Sequence, residues 1–151
     1  MSANRLYFAQ HGLAVDKIDD PERPLSNQGI AQTTAIADRL LHANIPIAQI
    51  FHSGKLRASQ TAEIISTTLK IESVLVADQL APNDDIASII QNLNTDNALY
   101  IGHLPHLEKL VSYLICGDET RNIIKFQNSA IICLEKYNNA YRICWYTTAD
   151  F

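Results

Sequence analysis

Leu6-Tyr7-Phe8-Ala9-Gln10-His11-Gly12 runs apolar for its first half and then stops on a glutamine, a histidine and a glycine. The pattern returns at Ala98-Leu99-Tyr100-Ile101-Gly102-His103-Leu104-Pro105. A short continuous apolar run closed by turn residues reads as a strand buried on both faces, the mark of a parallel sheet covered by helices. In such open sheets, ligands bind in the crevice beyond the carboxyl ends of the strands. Both histidines stand at that edge, and two imidazoles delivered there form a candidate active site.

Residues 5–10 are the first strand. Residues 12–25 read as a loop, broken by Asp16, Asp19, Asp20, Pro21 and Pro24. Ser26 is a good N-cap for a helix to about Ala43, with Ile30, Ala37, Leu40 and Leu41 as its apolar face. A second strand at 47–52 leads through Ser53-Gly54-Lys55 into a helix over 56–69, with Ala58, Ala62, Ile65 and Leu69 facing inward. Residues 72–77 form a third strand, and Asn83, Asp84 and Asp85 cap a short helix over 85–93. After the fourth strand at 98–102, Pro105 fits the first turn of a helix to about Cys116, which Gly117 stops. Two β-rich runs, 129–137 and 140–147, flank Asn138-Asn139 and predict a tight hairpin. The alternation predicts an α/β protein of three layers, α/β/α. Its sheet is mostly parallel with a C-terminal antiparallel hairpin, in one domain over residues 1–151.

The bulk numbers narrow the function classes. The net charge is -4, with 12 basic and 16 acidic residues and no basic run. A nucleic-acid backbone is therefore not an expected partner. No apolar run approaches transmembrane length and no signal peptide precedes the first strand. A soluble, cytoplasmic protein is expected. Three cysteines, Cys116, Cys133 and Cys144, lie far apart without metal spacing; buried free thiols in a reducing compartment fit them best.

The residues at the carboxyl edge are Gln10, His11 and Gly12, then Ser53, Lys55 and Arg57, then His103. Arg23 lies in the loop after the first strand, within reach of folding back. The set is neutral or cationic and has no carboxylate at its centre. It suits an anion with several oxygens, phosphate first. Arg57 falls in the first turn of its helix, where open N–H groups and the dipole favour an anion, and its planar fork matches phosphate oxygens. A histidine beside a phosphoryl group can serve as nucleophile, proton donor or stabilising charge. Gly12 lets the chain turn tightly and lets a ligand approach the backbone.

Four pieces, in order over residues 6 to about 110, resemble the histidine phosphatase (phosphoglycerate mutase-like) superfamily, and within it the small SixA-type phosphohistidine phosphatases. Gln10-His11-Gly12 stands at the family's Arg-His-Gly position. Arg23-Pro24-Leu25-Ser26 precedes the first helix. Ser53-Gly54-Lys55-Leu56-Arg57-Ala58-Ser59-Gln60-Thr61 is similar to the family's Ser-Pro-x-x-Arg-Ala-x-Gln-Thr. Gly102-His103-Leu104-Pro105 is similar to its second-histidine motif. The resemblance implies a phosphoglycerate mutase-like fold and a metal-independent phosphatase without cofactor. His11 would be the nucleophile that takes up the phosphoryl group. Arg57 and His103 would hold its oxygens, with Arg23, Gln10 and Gly12 lining the phosphate site. Water would release inorganic phosphate.

The chain departs from the pattern at informative places. Gln10 replaces the family's arginine and brings hydrogen bonds but no charge, so phosphate binding should weaken. Lys55 is a candidate to replace part of that charge. His106 reads as a solvated helix-start residue at the rim. Ester-cleaving relatives carry a glutamate after the third strand, where this chain reads Asp78-Gln79-Leu80-Ala81-Pro82. The lack of that acid tilts toward phosphoramidates, whose protonated leaving group needs less help. Little chain is available for a lid, so an open pocket suits a phosphorylated protein surface, such as a histidine phosphotransfer domain. The alternatives are a small-ester phosphatase with Asp78 as acid, and a catalytically weak or silent phosphoprotein-binding module, the latter because of Gln10.

Overall fold

The computed structural model describes residues 3–150. In chain order it contains β1 (Arg5–Gln10), α1 (Asn27–His42), β2 (Gln49–His52), α2 (Leu56–Leu69), β3 (Val74–Val76), α3 (Ile86–Ile90), β4 (Ala98–Gly102), α4 (His106–Cys116), β5 (Ile131–Tyr137) and β6 (Ala140–Thr147). A single 3-10 turn, Asp78–Leu80, follows β3. The strands form one sheet in the order β3-β2-β4-β1-β5-β6. The pairs β3–β2, β2–β4 and β4–β1 are parallel. The pairs β1–β5 and β5–β6 are antiparallel. The expected architecture is therefore present, and the two histidine-bearing strands are neighbours: Gln10 pairs with Gly102 in register.

Alternate residues of β1 and β4 serve two cores, which is why both runs read as apolar throughout. Leu6, Phe8 and Tyr100 pack with Ile86 and Ile89 of α3 and with Leu107, Leu110 and Val111 of α4. Tyr7, Ala9, Leu99 and Ile101 pack with Ile36, Ala37 and Leu40 of α1 and with Ala58, Ala62 and Ile65 of α2. Each fully buried Leu or Ile in these layers stabilises the fold by about 1.5–3 kcal/mol relative to exposure.

The inner face of α1 differs from its expected composition. Its buried stripe is Gly29, Thr33, Ile36, Ala37 and Leu40. Ile30 and Leu41 are 45% and 47% exposed, because each sits one residue, about 100°, round the helix from that stripe. Gly29 is there for close approach: a Cβ would lie 2.1 Å from the Leu13 carbonyl oxygen. That same oxygen accepts from the Ser26 N–H at 2.9 Å and from Ser26 Oγ at 3.1 Å. The Ser26 hydroxyl in turn caps α1 through the Gly29 N–H. An isolated bridge between Ala14 and Leu25 closes the loop that the proline and aspartate pattern marked.

Other boundaries shift for local reasons. β3 shrinks to three residues, because it is the sheet edge and exposes Leu75 and Val76. The helix expected over 85–93 is one turn, capped by Asp85 through the Ala87 N–H. Pro105 precedes α4 as its cap instead of sitting in its first turn, while Gly117 ends it in the left-handed conformation as expected. Ser129 has φ 67° and belongs to a turn before β5. The hairpin turns at Asn138, φ 55°, between the paired Tyr137 and Ala140. All three cysteines are free, but only Cys133 is buried; Cys116 and Cys144 are exposed. Among the described residues no helix is long and apolar enough to cross a membrane.

Candidate active site

The end of β1 is clamped on both sides. The His11 N–H donates to the Gly102 carbonyl at 3.1 Å, and the Gln10 N–H to that of Ala130 at 3.2 Å. The Ser129 N–H donates to the Gln10 carbonyl at 3.1 Å, and Asn128 Nδ2 to the His11 carbonyl at 3.2 Å. These bonds deliver the two imidazoles to one place: the rings of His11 and His103 lie 4.9 Å apart.

The tautomer of His11 follows from its partner. Nδ1 lies 2.7 Å from the Gly12 carbonyl oxygen, and a carbonyl only accepts, so Nδ1 carries the hydrogen. Nε2 keeps its lone pair. Burial pulls the His11 pKa down to about 4, and the positive charges of Arg57 and Arg23 lower it further against the Gly12 bond. The ring is neutral at pH 7, which a nitrogen nucleophile requires.

His103 is buried as well, and its pKa is depressed to about 3, first by burial and then by the charges of His11, Arg57, Lys55 and His106. Its Nε2 lies 2.5 Å from Ser53 Oγ, while Nδ1 is buried without a partner. A Ser53 hydroxyl that donates to Nε2 fixes the hydrogen on Nδ1, leaving it free to serve an oxyanion. Both imidazoles feel their neighbouring cations and no carboxylate. Such an environment favours an incoming anion.

Arg57 is the second residue of α2, and its Nε is buried with no partner. Burial and the Arg23 charge both act against its own charge. The cap residue Lys55 lends no side-chain acceptor to the helix start, so first-turn N–H groups remain available to an anion. Arg23 has φ 50° and is anchored through Nε to the Val15 carbonyl at 3.1 Å. Lys55 is exposed, and its charge bears on His103.

Three sequence readings change here. Gly12 is not an open backbone for a ligand. Its N–H donates to Thr61 Oγ1 at 2.9 Å and its carbonyl holds His11. The glycine is needed because a Cβ would meet Thr33 Oγ1 at 2.7 Å. Asp78, the candidate acid, is exposed and lines a separate cavity of about 250 Å³ with Phe51, Val76, Gln79 and Tyr100. It is absent from the charges that act on either histidine. His106 is 1% exposed instead of solvated, and neither ring nitrogen has a partner.

Sequence reasoning gave no role to Thr61 or Gln60, which tie the site together. Thr61 accepts from Gly12 and donates to the Arg57 carbonyl at 2.7 Å, joining the nucleophile loop to α2. Gln60 Oε1 accepts from the Leu25 N–H at 2.7 Å and anchors the loop that carries Arg23. The available signals were the Gln60-Thr61 close of the family-like motif and, for Thr61, a hydroxyl on the otherwise apolar stripe Ala58, Ala62, Ile65.

Residues 6–81 match the model of the histidine phosphatase superfamily (branch 1). An uncharacterized protein of Picosynechococcus sp. is 30% identical over 138 residues, covering 85% of this chain and 83% of its own. Phosphohistidine phosphatase SixA of Escherichia coli is 28% identical over 143 residues, covering 89% and 88%. Among solved structures, the protein histidine phosphatase SixA complexed with tungstate superposes with a TM-score of 0.85 at 26% identity over 97% of both chains.

Proposed function

This chain belongs to the histidine phosphatase superfamily, and from that premise we propose that it is a phosphatase that passes the phosphoryl group through His11 and acts on phosphohistidine carried by a protein. The observation that carries the reading is the state of His11: its Nδ1–H is held by the Gly12 carbonyl, leaving a neutral ring with an Nε2 lone pair. The cations Arg57 and Arg23 stand beside it.

In this reading Nε2 attacks phosphorus as the substrate's P–N bond breaks, giving phospho-His11. Arg57 and the Nδ1–H of His103 stabilise the charge on the phosphoryl oxygens, the dominant contribution in phosphoryl transfer. Water then attacks phosphorus, and inorganic phosphate leaves. The solved complex of the relative SixA with tungstate, a tetrahedral oxyanion like phosphate, supports a phosphoryl group as the ligand of this fold. The similarity to SixA favours the P–N substrate. So does the placement of Asp78 away from the charges felt by the histidines, because an ester needs an acid for its alkoxide. The partner is a phosphorylated protein such as a histidine phosphotransfer domain. Three free cysteines, two of them exposed, fit a reducing cytoplasm.

The test is phosphate release from a phosphohistidine-labelled phosphotransfer domain by wild type and His11→Ala, with chelator present. Release by wild type alone, with acid-labile label trapped on the wild-type protein, is expected. No release by either protein, together with tight retention of the phosphoprotein, would instead assign a binding module.

A further inference from the structure

We propose that Cys133 and Cys144 form a modification site: an oxidant of the hydroperoxide class converts Cys144 to a sulfenic acid, and Cys133 closes on it in a reversible disulfide between β5 and β6. The inference is independent of the phosphatase reading, since Cys133 pairs in register with Tyr7 of β1, well before His11.

The strand register places the two thiols together. β5 and β6 are antiparallel, with Cys133 opposite Trp145 and Leu134 opposite Ile143. Cys144 is therefore the extra residue of a β-bulge, in which two residues of one strand oppose one of the other. Cys133 and Trp145 pack in the core shared with α1 and α2. Side chains two apart on a strand share a face. Arg142, two before Cys144, meets Glu135, two after Cys133, so Cys144 turns to that face as well. Its thiol lies within hydrogen-bond reach of both Cys133 and Glu135. Opposed residues of an antiparallel pair hold their Cα atoms about 4.5–5.5 Å apart, inside the roughly 4.4–6.8 Å that a disulfide spans. Closing the S–S bond thus asks for side-chain rotation, not for a displaced strand.

Exposure divides the roles. Cys144 is exposed and Cys133 is buried. The thiolate is the reactive form of cysteine, and an apolar surrounding suppresses it. Burial pushes the Cys133 thiol up to about 12, and the neighbouring Cys144 adds to the shift. Cys133 is thus shielded from a dissolved oxidant by access and by protonation. Cys144 is open to one. Two cations, Arg5 and Arg142, share the single carboxylate of Glu135 beside it, and the Arg5 charge bears on both thiols. Reactive cysteines sit in such accessible, electropositive settings.

In the first step the Cys144 sulfur attacks one oxygen of the hydroperoxide. The O–O bond breaks, Cys144 becomes the sulfenic acid, and the other oxygen departs as alcohol or water with the thiol proton. Cys133 Sγ then attacks Cys144 Sγ. The S–O bond breaks, and the hydroxyl leaves with the Cys133 proton as water. One peroxide is reduced and two thiols are oxidised, and a thiol reductant reverses the change. Cys116 ends α4, which packs on the opposite core, and is the internal control.

The experiment treats the reduced protein with hydrogen peroxide near stoichiometry, counts free thiols and maps the linked peptides. The thiol count is expected to fall from three to one, with Cys133 joined to Cys144, and dithiothreitol should restore all three. Cys116→Ser should form the same link. Cys144→Ser, at an exposed position, should leave Cys133 unoxidised over the same time. Cys133→Ala should stop at a sulfenic acid on Cys144 that dimedone traps; if that variant does not fold, the wild-type peptide map and Cys144→Ser decide. A protein that keeps three thiols overturns the proposal. So does Cys144 joined to Cys116 or to a second chain, or carried to sulfinic acid while Cys133 stays free.

Discussion

The two ends of β1 treat charge in opposite ways. At its start, Arg5 meets Glu135 at 3.3 Å, and the other carboxylate oxygen of Glu135 takes Arg142 at 2.7 Å. Beyond its finish, Arg57 keeps a buried Nε with no partner. Among the described residues, five of the seven buried side-chain polar atoms without a partner belong to Gln10, Arg57, His103 and His106. A protein with 16 acidic residues had carboxylates available. The contrast teaches that the cation at the start of the strand is neutralised where it stands, whereas under the proposed function the one beyond its finish is left unneutralised for a ligand.

The sharpest way to break this contrast is to remove the cation at each end. Arg57→Ala is expected to lower kcat on phosphohistidine by about 10²–10³-fold, the cost of one transition-state donor. Its melting temperature should hold or rise, because an unpaired buried group is lost; a stability loss without an activity loss would make Arg57 structural. Thr61→Val leaves the Gly12 N–H unmatched and should cost about 1–3 kcal/mol in denaturant unfolding. It should also lower kcat, since the carbonyl that orients His11 loses its anchor.

Acid should separate the two ends without mutation. His11 and His103 have folded pKa values of about 4 and about 3, below the unfolded 6.5. The unfolded chain therefore binds more protons between these values, and the stability their burial permits is full above pH 6.5 and lost as pH falls through 4. A melting temperature that falls from pH 7 to pH 5, partly restored by inorganic phosphate, is expected; a flat profile would contradict the neutral rings. Activity should persist below pH 6.5 and decline only near pH 4, as the His11 lone pair is protonated. Lys55→Ala, at the exposed rim, should raise KM by only about two- to threefold, as expected of a solvent-screened charge. Arg5→Ala should leave kcat/KM unchanged and cost about 1 kcal/mol or less.

How much of this was legible depended on the kind of signal. The strands showed because β1 and β4 are buried on both faces and carry unbroken apolar runs. The edge residues showed because Gln10-His11-Gly12 and Gly102-His103 end those runs, so topology alone brings them together. Ile30 and Leu41 misled because apolarity at helical spacing leaves the stripe uncertain by one residue, and the packing of Gly29 on Leu13 decides it. His106 misled because a helix-start histidine is polar in the sequence, while in the fold it is buried, with the charges of Asp84 and Asp85, just before α3, bearing on it. Gly12 was seen as special for the wrong reason: its neighbour Thr33 comes from α1, and no local pattern contains that contact.

The approach of α1 to Leu13 has a consequence for anyone mapping this protein by mutation. Gly29 touches no reacting atom, yet any larger residue must push Leu13, and Leu13 follows Gly12, whose carbonyl sets the His11 ring. In a saturation screen scored on turnover, Gly29 should therefore segregate with the catalytic positions rather than with its helix. A map of intolerant sites would draw the active centre larger than the chemistry requires, with a helix glycine on its border.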